Sequence, residues 1–434
     1  MVLLIKILIN HRLIKNYMIE NKLVTEGYKE AINILKKNST KLGFSASTEK
    51  VANYYSIWAR DHSICAIAAL LSKDEELIET AKKGILLLLR NQADFGQVPS
   101  YVEIENKKKV YGGLGGITSV DSNMWIIIAA AMIYKETKDK RFISDKVMMR
   151  YKKIYTLLKS FDSNRCGLIE VPPAGDWADI FDRTYHVLYD QVLFYQALKD
   201  LLYLFREGRS KIRSEEVSTK VKKRITWVSK RKPYVKRRIN KLFWFTEENL
   251  PKIFEEYMIF DYPPKAIYPF YQSHLRPFKH NWAKRFDSFG NVLAIATKIA
   301  NKDRSKKIIR HILKNDINKP MSLRALSPPV YKNEKDWQSI YAKKEKPHTY
   351  HNGGIWPLIS GFWIYVLNKN NKEKTAEKDM ISLATHLKKH GWKFQEYFHG
   401  KKITPMGRTE QAWSAAGYII AYHSFNHNIC LFDN

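Results

Sequence analysis

Ile64–Leu88, ICAIAALLSKDEELIETAKKGILLL, holds two helical patterns back to back. Its first eight residues, Ile64–Leu71, are apolar at every position, so a helix built from them has no polar face and is buried all round. Ser72–Glu75 reads as a capping box opening a second helix, in which Leu77, Ile78, Ala81, Ile85 and Leu88 form one apolar stripe with charges opposite. A wholly buried helix joined by a short polar turn to a one-sided helix predicts a hairpin whose first member faces a core and whose second covers it.

The pair recurs along the 434 residues. Trp125–Tyr134, WIIIAAAMIY, is buried in type and the segment Val147–Leu158 is one-sided. Val187–Leu204 and Ile355–Leu367 are again mostly apolar, and Glu377–His390 is one-sided. Buried helices are expected to begin near Asp61, Asp121, His186, Ser288, Asn352 and Glu410, at intervals of roughly 60 residues except for one of roughly 100, a period that marks stacked helical hairpins. Convincing strand alternation is hard to find. Six hairpins predict an all-α double ring, an (α/α)6 toroid, spanning 41–434 behind an N-terminal helical segment 1–40, with a basic insertion at about 206–280.

Composition narrows the class. Hydrophobic residues at 45% and aromatics at 13% exclude a mainly disordered chain, and many aromatic rings also suit stacking on sugars or bases. Cys65, Cys166 and Cys430 are odd in number, far apart and without metal-ligand spacing, so neither a disulfide framework nor a zinc site is implied, and a reducing cytoplasm fits best. The N-terminal MVLLIKILINHRLIKNYMIE is amphipathic in type, not a signal peptide, and no apolar run reaches the length of a membrane span. Lys and Arg number 74 against 43 Asp and Glu, a net charge of +31, which raises a polyanion-binding alternative centred on Arg206–Lys241. With only Trp227 and Tyr234 as aromatics and no nucleic-acid-binding signature, that block reads as a solvated face.

The polar, aromatic and glycine-rich motifs stand immediately before the buried helices. If those helices run parallel, the motifs meet at one end of the barrel. YYSIWARDH (Tyr54–His62) brings Trp58, Arg60 and Asp61, and QADFGQVPSYV (Gln92–Val102) brings Gln97. YGGLGGITSVDSNMW (Tyr111–Trp125) delivers Asp121 to the start of the most apolar helix, where Thr118, Ser119 or Asp121 itself can cap it. GDWADIFD (Gly175–Asp182) brings Asp176, Trp177 and Asp179, followed by Tyr189; HTYHNGGIWP (His348–Pro357) brings His351, Asn352 and Trp356; FQEYFHG (Phe394–Gly400) brings Glu396. Acids flanked by aromatics and glycines at one rim are what a carbohydrate pocket needs: rings stack on sugar faces, carboxylates hold hydroxyls, and two carboxyls perform acid/base work. The GG pairs lack a phosphate-loop pattern, the histidines lack metal-ligand spacing, and there is no GxSxG elbow.

The ordered set ARDHS, DSNMW, GDWAD with LYDQVLFYQAL, YHNGGIWP, and EYFHG with EQAWSAAGYI resembles the six-hairpin glycoside hydrolases over roughly Gly43–Tyr422. It looks closest to neutral/alkaline invertases and to amylo-α-1,6-glucosidase (debranching) proteins. The resemblance implies an inverting hydrolase of an α-glucosidic bond in an oligosaccharide or disaccharide, needing no metal or organic cofactor. It implies Asp121 as general acid, Glu396 as general base, and Asp61 and Asp176, with Asp179 nearby, as sugar-binding carboxylates. Trp58, Arg60, Gln97, Trp177, Tyr189, His351, Asn352 and Trp356 complete the expected substrate contacts. Asn123 and Met124 depart from the invertase pattern around the acid, and GDWAD with LYDQ looks more like the debranching type, so a debranching-like activity is the first expectation, sucrose cleavage the alternative, and an inactive sugar- or polyanion-binding relative the second alternative. A general acid must hold its proton near neutral pH, so burial and neighbouring acids are expected to raise Asp121, against the helix N-terminus, which favours the anion.

Overall fold

The computed structural model describes residues 21–113, 116–209, 215–260, 266–279, 284–426 and 428–433. The N-terminal amphipathic stretch 1–20, residues 114–115 of the glycine-rich turn and part of the basic block lie outside the described residues.

The chain alternates between an outer and an inner set of helices. In chain order they are α1 (Lys22–Asn38), α2 (Ala59–Ser72), α3 (Glu75–Arg90), α4 (Val120–Thr137), α5 (Asp145–Ser160), α6 (Leu188–Arg209), α7 (Glu215–Leu242), the short α8 (Leu250–Glu256), α9 (Ser288–Ala296), α10 (Lys302–Lys314), the short α11 (Tyr341–Lys344), α12 (Pro357–Lys369), α13 (Glu373–Lys389) and α14 (Ala412–His423). α2, α4, α6, α9, α12 and α14 pack in a closed circuit, each on the next and α14 back on α2. Their residues are buried on nearly every face, as their long apolar runs require. α1, α3, α5, α7, α10 and α13 form the outer layer and bury one stripe each: Leu77, Ala81, Ile85 and Leu88 in α3; Ser305, Ile308, Ile309 and Ile312 in α10. The fold is an (α/α)6 toroid.

Two sequence expectations change here. The cap of α3 is Asp74, whose Oδ1 accepts from the Leu77 N–H at 3.1 Å, while the Ser72 hydroxyl turns back to donate to the Ala69 carbonyl at 2.8 Å. An Asp at the preferred position displaces the serine two residues upstream. The basic stretch up to Leu242 is also a ring element: α7 lies along α6 and buries Val221, Val228, Val235, Ile239 and Leu242. The segment with little long helix is the one that follows, Phe243–Arg285.

Short strands occupy the rim where the inner helices begin. β1 (Ser56–Trp58), β2 (Tyr101–Glu103) and β3 (Lys109–Val110) form one antiparallel sheet; β4 (His186–Val187) pairs with β5 (His274–Leu275), β6 (Phe286–Asp287) with β7 (Leu326–Ser327), and β8 (Tyr397–Phe398) with β9 (Pro405–Met406). β1, β4 and β6 run straight into α2, α6 and α9, so each fixes the direction in which a rim side chain leaves the backbone.

Candidate active site

A cavity of about 470 Å3 opens at this rim, walled by segments that precede the inner helices. Tyr54 and Trp58 come from ahead of α2, Gly112 and Gly113 from ahead of α4, Asp179 from ahead of α6, and Tyr350 and Glu396 from ahead of α12 and α14. The expected meeting of motifs at one end of the barrel therefore occurs.

Three carboxyls face the cavity: Asp61, Asp179 and Glu396. Burial pushes Glu396 up to about 7; hydrogen bonds oppose the shift, and the charges of Asp61 and Asp179 reinforce it. Its oxygens take the Tyr54 hydroxyl at 3.3 and 3.2 Å, and Oε2 also accepts from the Arg408 N–H at 3.2 Å. Burial likewise pushes Asp179 up to about 7, opposed by Arg60 and reinforced by Asp176 and Asp121. Its Oδ1 is buried without a hydrogen-bond partner among the described residues. Burial takes Asp61 to about 6 against the pull of Arg60.

Asp121 is elsewhere. It is fully buried, does not line the cavity, and does not cap α4, where Ser119 holds the N-cap position. Its Oδ2 accepts from Arg60 Nη1 at 2.7 Å and from the Tyr189 hydroxyl at 3.0 Å, and its Oδ1 from the Ser119 hydroxyl at 2.6 Å. Three of the acceptor sites of this carboxylate are taken, and it sits behind Arg60 as that side chain's counter-ion. The Arg60–Asp61 contact, at 4.0 Å, is the weaker of the two.

Other expected contacts divide the same way. Trp58, Arg60, Trp177 and His351 line the cavity. Trp58 packs on Tyr101, its cross-strand partner between β1 and β2, with ring centroids 4.5 Å apart. Trp177 stands edge-on to His351 at 4.8 Å, and His351 donates to or accepts from Glu345 at 2.7 Å; burial drives His351 well below and Glu345 well above their ordinary values, which favours the neutral form of each. Five expected contacts stand back from the cavity. Asp176 is paired with Arg183 at 2.8 Å, and Arg183 reaches on to Asp287 at 3.1 Å. Gln97 is spent on the Tyr111 carbonyl and the Thr118 hydroxyl, and Tyr189 on Asp121 and the Trp125 indole. Asn352 ties its loop to Val330 and Glu345, and Trp356 is stacked behind His351 at 5.4 Å. Trp356 and Tyr189 also pack on wall residues, His351 and Trp177 respectively.

Sequence reasoning missed Tyr54, Lys344, Arg408, Gln411 and Trp413 as cavity residues. Tyr54, Gln411 and Trp413 lie inside motifs already notable for their position ahead of an inner helix. Lys344 and Arg408 carry no signal that separates them from the many other basic residues.

Comparison with known proteins speaks to the family and the fold. The family model described as alkaline and neutral invertase matches residues 28–428. Cytosolic invertase 1 of Oryza sativa subsp. japonica is 24% identical, over 88% of this chain and 73% of its own. Probable alkaline/neutral invertase F of Arabidopsis thaliana is 23% identical, over 94% of this chain and 89% of its own. Among solved structures, the GH63 mannosylglycerate hydrolase from Thermus thermophilus in complex with glucose superposes with a TM-score of 0.63 at 13% identity, covering 91% of this chain and 99% of that one. A rhamnosidase from Klebsiella oxytoca with rhamnose bound gives 0.58 at 13%, covering 93% and 64%. At such identity these two speak for the fold alone. The match over nearly the whole ring is what assigns the sequence: the chain belongs to the alkaline and neutral invertase family of O-glycosyl hydrolases.

Proposed function

We propose that this chain hydrolyses the α-glucosidic bond of sucrose with inversion, Asp179 acting as general acid and Glu396 as general base. The carrying observation is that these two carboxyls, each raised to about 7, face one aromatic-walled cavity from different elements. Invertase relatives spanning most of the chain favour sucrose over the debranching-like reading.

Their surroundings divide the roles. Glu396 accepts from Tyr54 and from the Arg408 N–H, and bonds donated to a carboxylate favour its ionised form. Asp179 lines the cavity while its buried Oδ1 has no hydrogen-bond partner among the described residues, which favours the protonated carboxyl, and the proton it holds on its cavity side can pass to the glycosidic oxygen. In the proposed step the Asp179 proton passes to the leaving oxygen as the C–O bond breaks. Glu396 takes a proton from the water that attacks the anomeric carbon from the opposite face, for which the two carboxyls of inverting enzymes stand ~6.5–9.5 Å apart. Solvent then restores both protonation states.

The test is sugar release from sucrose, maltose, isomaltose, trehalose and a branched limit dextrin by the wild type, Asp179→Asn, Glu396→Gln and Asp121→Asn. Sucrose cleavage is expected, with losses of ~10²–10⁴-fold in the first two variants, the range of a single general acid or base. A glycosyl fluoride, whose leaving group needs no proton, is expected to restore turnover in Asp179→Asn alone. Selective rescue of Asp121→Asn instead would return the acid role to Asp121. Release from the limit dextrin and not from sucrose would favour the debranching reading.

A cytosolic location goes with this proposal, supported by the rice relative described as cytosolic and by three free cysteines. No helix of the described residues is long and apolar enough to cross a membrane.

A further inference from the structure

Tyr54 and Glu396 are far apart in sequence but meet at the seam where the inner ring closes, since Tyr54 precedes β1 and α2, Glu396 precedes β8 and α14, and α14 packs on α2. The Tyr54 hydroxyl stands nearly equidistant from the two Glu396 oxygens, 3.3 and 3.2 Å, so its single proton can serve either. The Arg408 guanidinium lies 5.5 Å over the Tyr54 ring, and the backbone N–H of the same arginine donates to Glu396 Oε2. On another side Gly407, with φ +74°, leaves the carboxylate room: a Cβ there would come within 2.4 Å of Oε2. Ring, backbone donor and glycine together clasp one carboxylate in one orientation.

We infer that Tyr54 is a positioning residue that fixes Glu396 in the cavity and favours its ionised form for water activation, an inference that rests on Glu396 being the base. The Arg408 N–H also favours the anion, whereas burial and the acidic groups facing Glu396 work against ionisation. Asp61 from α2 and Asp179 from the loop before α6 add negative charge, and the phenols of Tyr350 and of its own neighbour Tyr397 are kept protonated by burial first and then by the charge of Glu396. The Arg408 guanidinium is drawn to Glu49 at 3.5 Å. Burial first, then the charge of Glu396 and the bond to it, drive the Tyr54 phenol far above its ordinary value, so it remains a donor throughout the pH range of activity.

Tyr54→Phe keeps the ring beneath Arg408 and removes the donor. On the sugar that the wild type cleaves, the acidic limb of the kcat/KM profile, which reports the base, is expected to move up by about one pH unit, with kcat down about tenfold and KM nearly unchanged. Arg408→Gln keeps the backbone N–H but releases the ring, and is expected to move the same limb in the same direction by less. Loss of activity or of thermal stability in Tyr54→Phe with an unmoved limb would make Tyr54 merely structural and overturn the inference. Should Tyr54→Phe fail to fold, an unmoved limb in Arg408→Gln overturns it. Sucrose turnover surviving in Glu396→Gln would overturn the base assignment itself, whatever Tyr54 does.

Discussion

Placing Asp61, Asp179 and Glu396 in a buried cavity stores an energetic cost that depends on pH. Glu396, raised to about 7 by burial, binds a proton in the folded chain that the unfolded chain, titrating near its ordinary value of 4.5, has released. The stability it contributes is therefore fully present below that ordinary value and is lost as pH rises through about 7. Glu396→Gln has no charge to bury, so its melting temperature is expected to exceed the wild type's at about pH 8 and to approach it at about pH 5. A gain that is larger at the lower pH would mean that burial of charge is not the cause. The same residues show the limit of reading a site from sequence. Asp121, in the first turn of α4, and Asp179, in the loop before α6, both belong to acid- and aromatic-containing motifs at the starts of inner helices, and what separates them is that only Asp179 lines the cavity. Asp121 is met by Arg60, Tyr189 and Ser119, contributed by three different helices or their approaches, and no linear motif encodes that convergence. Glu396 was legible because its motif and its cavity position coincide.

Elements were legible where composition alone dictates burial. A run such as WIIIAAAMIY has no face for water, so its place inside the ring follows from the residues, and the inner helices begin within a few residues of the expected points. α7 was not legible, because the lysines and arginines around it outweigh a thin stripe, Val221, Val228, Val235 and Leu242, repeating every seventh residue. Val228→Asp is therefore expected to destabilise the chain, as burial of an unpaired charge does, while exposed Lys222→Glu stays within ~0.5 kcal/mol of the wild type by chemical denaturation. Equal effects would return α7 to the status of a detachable insertion. α12 and α14 meet still more closely. A Cβ on Gly361 would lie 2.1 Å from the Gly417 carbonyl oxygen, and one on Gly417 would lie 2.5 Å from the Pro357 carbonyl oxygen. Both obstacles are backbone, so Gly417→Ala is expected to cost ~1–3 kcal/mol or more, read as a fall in melting temperature.

In the whole molecule the candidate site depends on closing a circle, because Tyr54 and Glu396, which meet in it, sit on either side of the seam between α2 and α14. α1 braces that seam from outside. It packs on α13 and α14, the Tyr418 hydroxyl of α14 donates to the Val24 carbonyl at 2.9 Å, and Glu26 of α1 accepts from Lys388 at 2.6 Å and from the Trp392 indole at 3.0 Å. Gly27 lets the Tyr418 ring in, since a Cβ there would stand 2.2 Å from its hydroxyl. Removing α1 uncovers α14 and leaves Val24, Ala31, Ile34 and Leu35 unreplaced against it, so the seam loses its apolar cover. A chain shortened to begin at Ser39 is expected to bind a hydrophobic dye, melt at lower temperature, and lose sugar hydrolysis more completely than it loses helix content, because the Tyr54–Glu396 contact spans the weakened seam. One beginning at Asn21 keeps α1 and its cap, in which the Asn21 side chain accepts from the Leu23 and Val24 N–H groups, and is expected to keep both stability and activity. If the Ser39 chain were as stable and active as the longer one, five outer helices would suffice to hold the ring shut, and the alignment of Glu396 would have to be credited to the rim strands alone.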